Sequence, residues 1–221
     1  MYRAFSERCK ARSSGARRRR HQSVLTEQNA DPERENIASP ELRLLEAATE
    51  LFCREGIHAT GVTAIINRDQ VARRTLYERY GSKDNLLRAV FRREAQRWFV
   101  WFDQTLPTLS TDPSAQLLGL FDLLRDWFAD DQFYGCIFIN AAAEHHKDVS
   151  WVVPIARTHL TAIHERILDL VKSSGLERPD LIADELSLLI DGAIVTAMMT
   201  RDPAGAFTAK RIAKRILGST S

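Results

Sequence analysis

Cysteine is scarce in this chain: only Cys9, Cys53 and Cys136 occur among 221 residues, scattered and without CxxC spacing. That excludes a disulfide framework and a zinc finger, and it fits a reducing compartment. Long apolar runs are also missing. The most apolar stretch, Leu186 to Met199, is interrupted by Asp191 and Gly192 and falls short of the roughly 20 residues of a membrane span. The basic N-terminus has no apolar segment behind it and does not resemble a secretory signal, so the chain is expected in the cytoplasm. No strand-length apolar alternation is present, and no GxxxxGK[ST], GxGxxG, GxSxG or HExxH motif. The expectation is therefore a non-enzyme with no cofactor. His145 and His146 are adjacent and point to different faces of a helix, while His159 and His164 are five apart, so no metal site is expected either.

What is present is charge segregation and helical periodicity. Basic and acidic residues number 8 and 1 over positions 1–20, 3 and 8 over 21–59, 9 and 4 over 60–100, and 11 and 16 over 101–221, although the net charge is only +2. A compact basic segment on an otherwise acidic body suits phosphate binding, because neutralising phosphates releases condensed counterions. The first stretch, 1–38, carries the run Arg17-Arg18-Arg19-Arg20 with little periodic apolar content and reads as a disordered basic tail.

Beyond the tail the apolar period is that of an all-α protein of about nine helices. Ser39-Pro40 starts a helix over 40–55 with the stripe Leu44, Leu45, Ala48, Leu51 and Phe52, and Gly56 ends it. Thr60 is placed to cap a short helix carrying Val62, Ile65 and Ile66, ending near Arg68. Asp69-Gln70 turns the chain into a third helix held by Leu76 and Tyr80 and stopped by Gly81. Ser82 caps a fourth, long helix bearing Leu87, Val90, Phe91, Ala95, Trp98 and Phe102, which Pro107 is expected to end. Prolines then punctuate helices expected over 113–130, 136–146, 149–174, 179–201 and 204–217.

Two short helices and a tight turn on a supporting helix make a helix-turn-helix, whose second helix must present donors outward. Opposite Leu76 and Tyr80 stand Arg73, Arg74, Thr75 and Tyr77. Arginine can donate bidentately to guanine, and threonine and tyrosine suit phosphate oxygens. Lys83 sits at a helix N-terminus, against the helix dipole, a misfit that phosphate would relieve.

These residues carry a family resemblance. Phe52-Cys53-Arg54-Glu55-Gly56, Ala59-Thr60-Gly61-Val62-Thr63-Ala64-Ile65-Ile66 and Val71-Ala72-Arg73-Arg74-Thr75-Leu76-Tyr77-Glu78-Arg79-Tyr80-Gly81-Ser82-Lys83-Asp84-Asn85-Leu86 resemble a TetR-type DNA-binding domain. Asp69-Gln70 departs from that family's usual Ala-Gly turn, with strain or a modified turn expected, and Gly61 stands where a second threonine is common. Thr60 and Thr63 then become the candidates for the phosphate contact of the second helix. The resemblance implies three units: the tail 1–38, a DNA-binding domain 39–98, and a helical effector-binding and dimerisation domain 99–217. It implies a regulator, in the usual case a repressor, released from a palindromic double-stranded operator by a small molecule. Trp98, Trp101, Phe102, Trp127, Phe128 and Phe138 could line the effector pocket, with Asn140, His145 and Asp191 as polar anchors. Aromatic residues at helical spacing are more often plain core. Gly192, Ala193 and Ala197, beside Leu188, Ile194 and Met198, make the last two helices the expected homodimer surface. A DNA-binding protein without effector, and a helical carrier or enzyme, stay open as alternatives.

Overall fold

The computed structural model describes residues 39–144 and 151–218, so the tail and His145 lie outside it. The described residues form nine helices and no strand. The first, α1 (Pro40–Glu55), starts as expected: the Ser39 hydroxyl accepts from the Leu42 N–H at 3.2 Å, and the proline's missing donor costs nothing at the first turn. Helices α2 (Val62–Asp69) and α3 (Arg73–Tyr80) follow. The 27-residue α4 (Lys83–Leu109) opens on a Ser82 hydroxyl accepting from Asn85 N–H at 3.2 Å. At about 1.5 Å rise per residue it runs roughly 40 Å and joins both halves of the molecule.

Pro107 does not end α4 as expected; the helix continues to Leu109. Only one backbone bond is lost to the ring, two residues from an end whose last carbonyls lack helical partners anyway. The same end is pinned sideways: Leu106 is buried, and a Cβ on Gly119 would meet the Leu109 side chain at 2.7 Å.

The remaining helices are α5 (Pro113–Phe128), α6 (Ile137–Glu144), α7 (Val152–Ser173), α8 (Pro179–Thr200) and α9 (Ala204–Gly218), all within three residues of expectation. Asp112 caps α5 by accepting from Ser114 N–H and Ala115 N–H at 3.2 and 3.1 Å.

Two apolar cores result. One holds Phe102 and Leu106 of α4, with α5, the second half of α7, α8 and α9 around Phe121, Ile167, Ile182 and Leu186. The other holds α1, Ile65, Val71, Leu76 and the first half of α4, and it also takes in Ile137, Phe138 and Ala141 of α6 with Val152 and Ala156 of α7. Helix α6 is thus a structural part of the N-terminal core although it lies beyond residue 130 in sequence.

Candidate nucleic-acid interface and internal cavity

The turn between α2 and α3 is made by Gln70, in the left-handed region at φ 52°, ψ 35°. The expected strain is therefore present, since a side chain there crowds the following carbonyl. The turn is closed because both Gln70 N–H and Val71 N–H reach the Ile66 carbonyl. Leu76 is fully buried and holds α3 in place. Around it Arg73, Arg74 and Tyr77 are exposed and Thr75 is half-buried.

Arg73 donates from its Nη2 to the Thr63 hydroxyl at 2.9 Å, which brings the starts of α2 and α3 into one polar surface. Arg74 pairs with Glu78 at 2.6 Å, with both side chains more than half exposed. Such a pair is worth little in water, so the guanidinium is free to exchange that carboxylate for a phosphate or a base edge. Arg79, not singled out from sequence, is exposed on the same helix.

Two of the expected contacts are corrected. Thr60 is fully buried, its hydroxyl 2.6 Å from the Gly56 carbonyl and 3.2 Å from that of Leu51. It neither caps α2, whose N-cap is Gly61 without a side-chain bond, nor reaches outward. A buried hydroxyl must find a partner, and the end of α1 offers two. Lys83 is half-buried, donates to the Ile57 carbonyl, and lies 6.0 Å from the Phe52 ring centre. Burial lowers its pKa, against the charges of Asp84 and Glu144. Its ammonium is committed to the protein's own loop.

That loop is clasped from the other side. Glu144, the last residue of α6, accepts from Ile57 N–H at 2.7 Å and His58 N–H at 3.1 Å. Gly56 makes room: its φ is +90°, and a Cβ there would lie 3.1 Å from both carboxylate oxygens. The α1–α2 loop therefore hangs between Glu144 of α6 and Lys83 of α4. No local pattern marks Glu144, which is 87 residues from its partner.

The other end of α6 faces a cleft enclosing about 650 Å³ of empty space, part of it open to solvent. Of the residues expected to line a pocket, Trp98, Trp127, Phe138 and Asp191 do so here. Trp98 and Trp127 also line an adjoining space of about 410 Å³ together with Trp101 and Phe102. Phe128 does not line either; it is buried with its ring 4.9 Å from Phe133. Asn140 is turned away, donating to the Tyr134 carbonyl at 2.9 Å.

The cleft adds residues that were not expected: Thr49, Cys53, Glu94, Cys136 and His159. Glu94 and His159 fall on the apolar stripes of α4 and α7, a legible signal. Glu94 is buried and answered by Arg97 at 3.3 Å and Arg93 at 3.6 Å. His159 stacks on Phe138 at 3.7 Å, and burial, with the Arg166 charge, brings its pKa down to about 4. Burial pushes the Cys53 thiol up, the Cys136 thiol up to about 11, and Asp191 above the usual carboxylate value. Phe138 also stacks on Phe91 of α4 at 5.2 Å. One helix thus joins the wall of the cavity to the α1–α2 loop that leads into the helix-turn-helix.

Among the described residues no helix is long and apolar enough to cross a membrane. Residues 44–90 match the profile of the bacterial regulatory proteins, tetR family. The chain is 22% identical over 185 residues to the HTH-type transcriptional regulator YjdC of Escherichia coli, covering 84% of this chain and 93% of that protein. It is 32% identical over 137 residues to the HTH-type transcriptional activator FasR of Mycolicibacterium smegmatis, covering 61% of this chain and 60% of that one. The crystal structure of SCO4454, a TetR-family transcriptional regulator from Streptomyces coelicolor, superposes with a TM-score of 0.76 at 25% identity over 82% of this chain and 96% of that one.

Proposed function

Since the chain is a DNA-binding transcriptional regulator of the TetR family, we propose that it acts as a homodimeric repressor, released from a palindromic operator by a small molecule held in the α4–α6–α7–α8 cleft. The observation that carries this reading is α6. Its first turn supplies Ile137, Phe138 and Ile139 to the cleft, and its last residue holds Ile57 and His58 of the α1–α2 loop. A ligand that displaces Phe138 has a rigid route of two helical turns to the DNA-binding half. Ligand-driven movement of α6, and of α4 through the Phe91 stack, changes where α3 points.

DNA contacts are assigned to Thr63, Arg73, Arg74, Thr75 and Tyr77, with Arg79 added. The unit 39–98 reads DNA and 99–217 senses and dimerises, with α6 bridging them. The dimer surface is the exposed face of α8 and α9, where Leu188 and Met199 are 75% and 76% exposed and Phe207 is 56%. Gly192 and Gly205 keep that face low enough for close helix approach. Two-fold pairing spaces the recognition helices by one DNA turn, roughly 34–36 Å. Its place of action is the cytoplasm, with the chromosome.

The test is selection of duplexes from a random pool by the full-length protein. A palindromic consensus is expected, and an asymmetric one would overturn the two-fold reading. On the selected duplex, Arg73→Ala and Arg74→Ala each cost about 1–3 kcal/mol where the contact is to a base. Fluorescence anisotropy titrations unchanged in both variants would refute the assignment. An effector, once found, must bind more weakly to the operator complex by the factor by which it weakens operator binding.

A further inference from the structure

We propose that the cleft is built for a lipophilic cation, an aromatic or branched aliphatic amine whose ammonium pairs with Asp191 and donates to His159 while its apolar body rests on Trp98, Trp127 and Phe138. The proposal rests on the effector reading above and adds the chemical class of the ligand.

Three observations carry it. The first is the charge of the lining: among the described residues the cleft contains the carboxylates of Glu94 and Asp191 and no lysine or arginine. Glu94 has its cations at hand in Arg93 and Arg97. Asp191 has no hydrogen bond or ion pair with another described residue, and burial alone accounts for its raised pKa. A half-buried carboxylate without a countercharge is stabilised by a cation delivered to it.

The second is His159. It is 5% exposed, lines the cleft, and its Nδ1 is buried without a partner. The nearby Arg166 guanidinium is already engaged with Asp103, the Ala162 carbonyl and the Phe99 ring. With a pKa near 4 the imidazole is neutral at physiological pH and keeps a lone pair to accept from an ammonium N–H. An orphaned buried imidazole nitrogen and an unanswered carboxylate lining one cleft make a hydrogen-bonding pattern that a donor-rich cation completes.

The third is the aromatic wall. Trp98, Trp127 and Phe138 line the same space, and indole rings attract cations as well as hydrocarbon. An anionic ligand would meet two carboxylates and no cation among the described lining residues, and a neutral one would leave Asp191 unanswered.

The experiment titrates the full-length protein, at neutral pH and by tryptophan fluorescence with equilibrium dialysis as a check, against three probes on one skeleton: 4-phenylbutylamine, 4-phenylbutan-1-ol and 4-phenylbutanoate. The amine is expected to bind about tenfold more tightly than the alcohol, and the carboxylate most weakly. In Asp191→Asn the preference for amine over alcohol collapses while alcohol binding is kept. If wild-type protein binds the alcohol or the carboxylate as tightly as the amine, the cation proposal is overturned and the effector cavity stands. If Asp191→Asn keeps the full preference, the assignment to Asp191 is overturned. If none of the three binds, the cation proposal falls together with the effector reading of the cleft. The wild-type comparison decides the charge question even where the variant fails to fold.

Discussion

Gln70 shows how a single residue sets the local energy of a functional turn. A non-glycine residue at φ 52° costs about 1–2 kcal/mol in backbone crowding, part of which a glycine recovers at the expense of unfolded-state entropy. Gln70→Gly is therefore expected to stabilise the protein by roughly 0.5–1 kcal/mol, read from the denaturant midpoint. An unchanged or lower midpoint would mean that the Gln70 side chain contributes contacts of its own. His159 works through protonation instead. Its pKa falls from 6.5 to about 4 on folding, so the unfolded chain takes up the proton first. The stability it contributes is fully present above the unfolded value and is lost as pH falls from about 6.5 to about 4, up to about 3 kcal/mol in all. His159→Phe, which preserves a ring against Phe138, is expected to flatten that acid limb in thermal melts. An equally steep loss in the variant would place the proton elsewhere.

At the scale of elements, α6 is eight residues long, too short to be stable alone, and packing maintains it. Its Phe138 sits between Phe91 and His159, and its Glu144 satisfies two loop amides. Glu144→Ala leaves those two N–H groups without their acceptor, at a cost of about 1–3 kcal/mol. The expected signature is local: the Ile57 and His58 amides lose hydrogen-exchange protection while the amides of α8 keep theirs. Uniform loss across both cores would show that Glu144 supports global stability rather than the loop. Helix α4 makes the complementary point, because its continuation through Pro107 is decided by side contacts with α5 that no reading of a lone helix contains.

For the whole molecule, the face of α8 and α9 carries the most exposed large apolar side chains among the described residues, Leu188, Met199 and Phe207, which a single chain leaves unexplained. Leu188→Asp with Met199→Asp places two carboxylates on that face without entering either core, since both side chains are about three-quarters exposed. Sedimentation equilibrium is expected to show monomer, with helicity by circular dichroism unchanged. Operator affinity falls steeply because the second half-site is no longer held at high effective concentration. A variant that remains dimeric would move the interface off α8 and α9.

Much was written in the sequence because it depends on neighbours along the chain: Ser39-Pro40 and Ser82 as helix starts, the stripes of α1 and α4, the exposed Arg73 and Arg74 opposite Leu76, and the nine-helix count among the described residues. Caps and 3.6-residue periods are set by residues within a turn or two, and they are legible without a fold. Tertiary structure decided the rest. It buried Thr60 against the end of α1, turned Lys83 onto the Ile57 carbonyl, took Phe128 and Asn140 out of the cavity, and carried Glu144 across 87 residues to the α1–α2 loop. Those outcomes depend on which buried polar group finds a partner when two helices meet, a property of packing that a sequence of local signals does not contain.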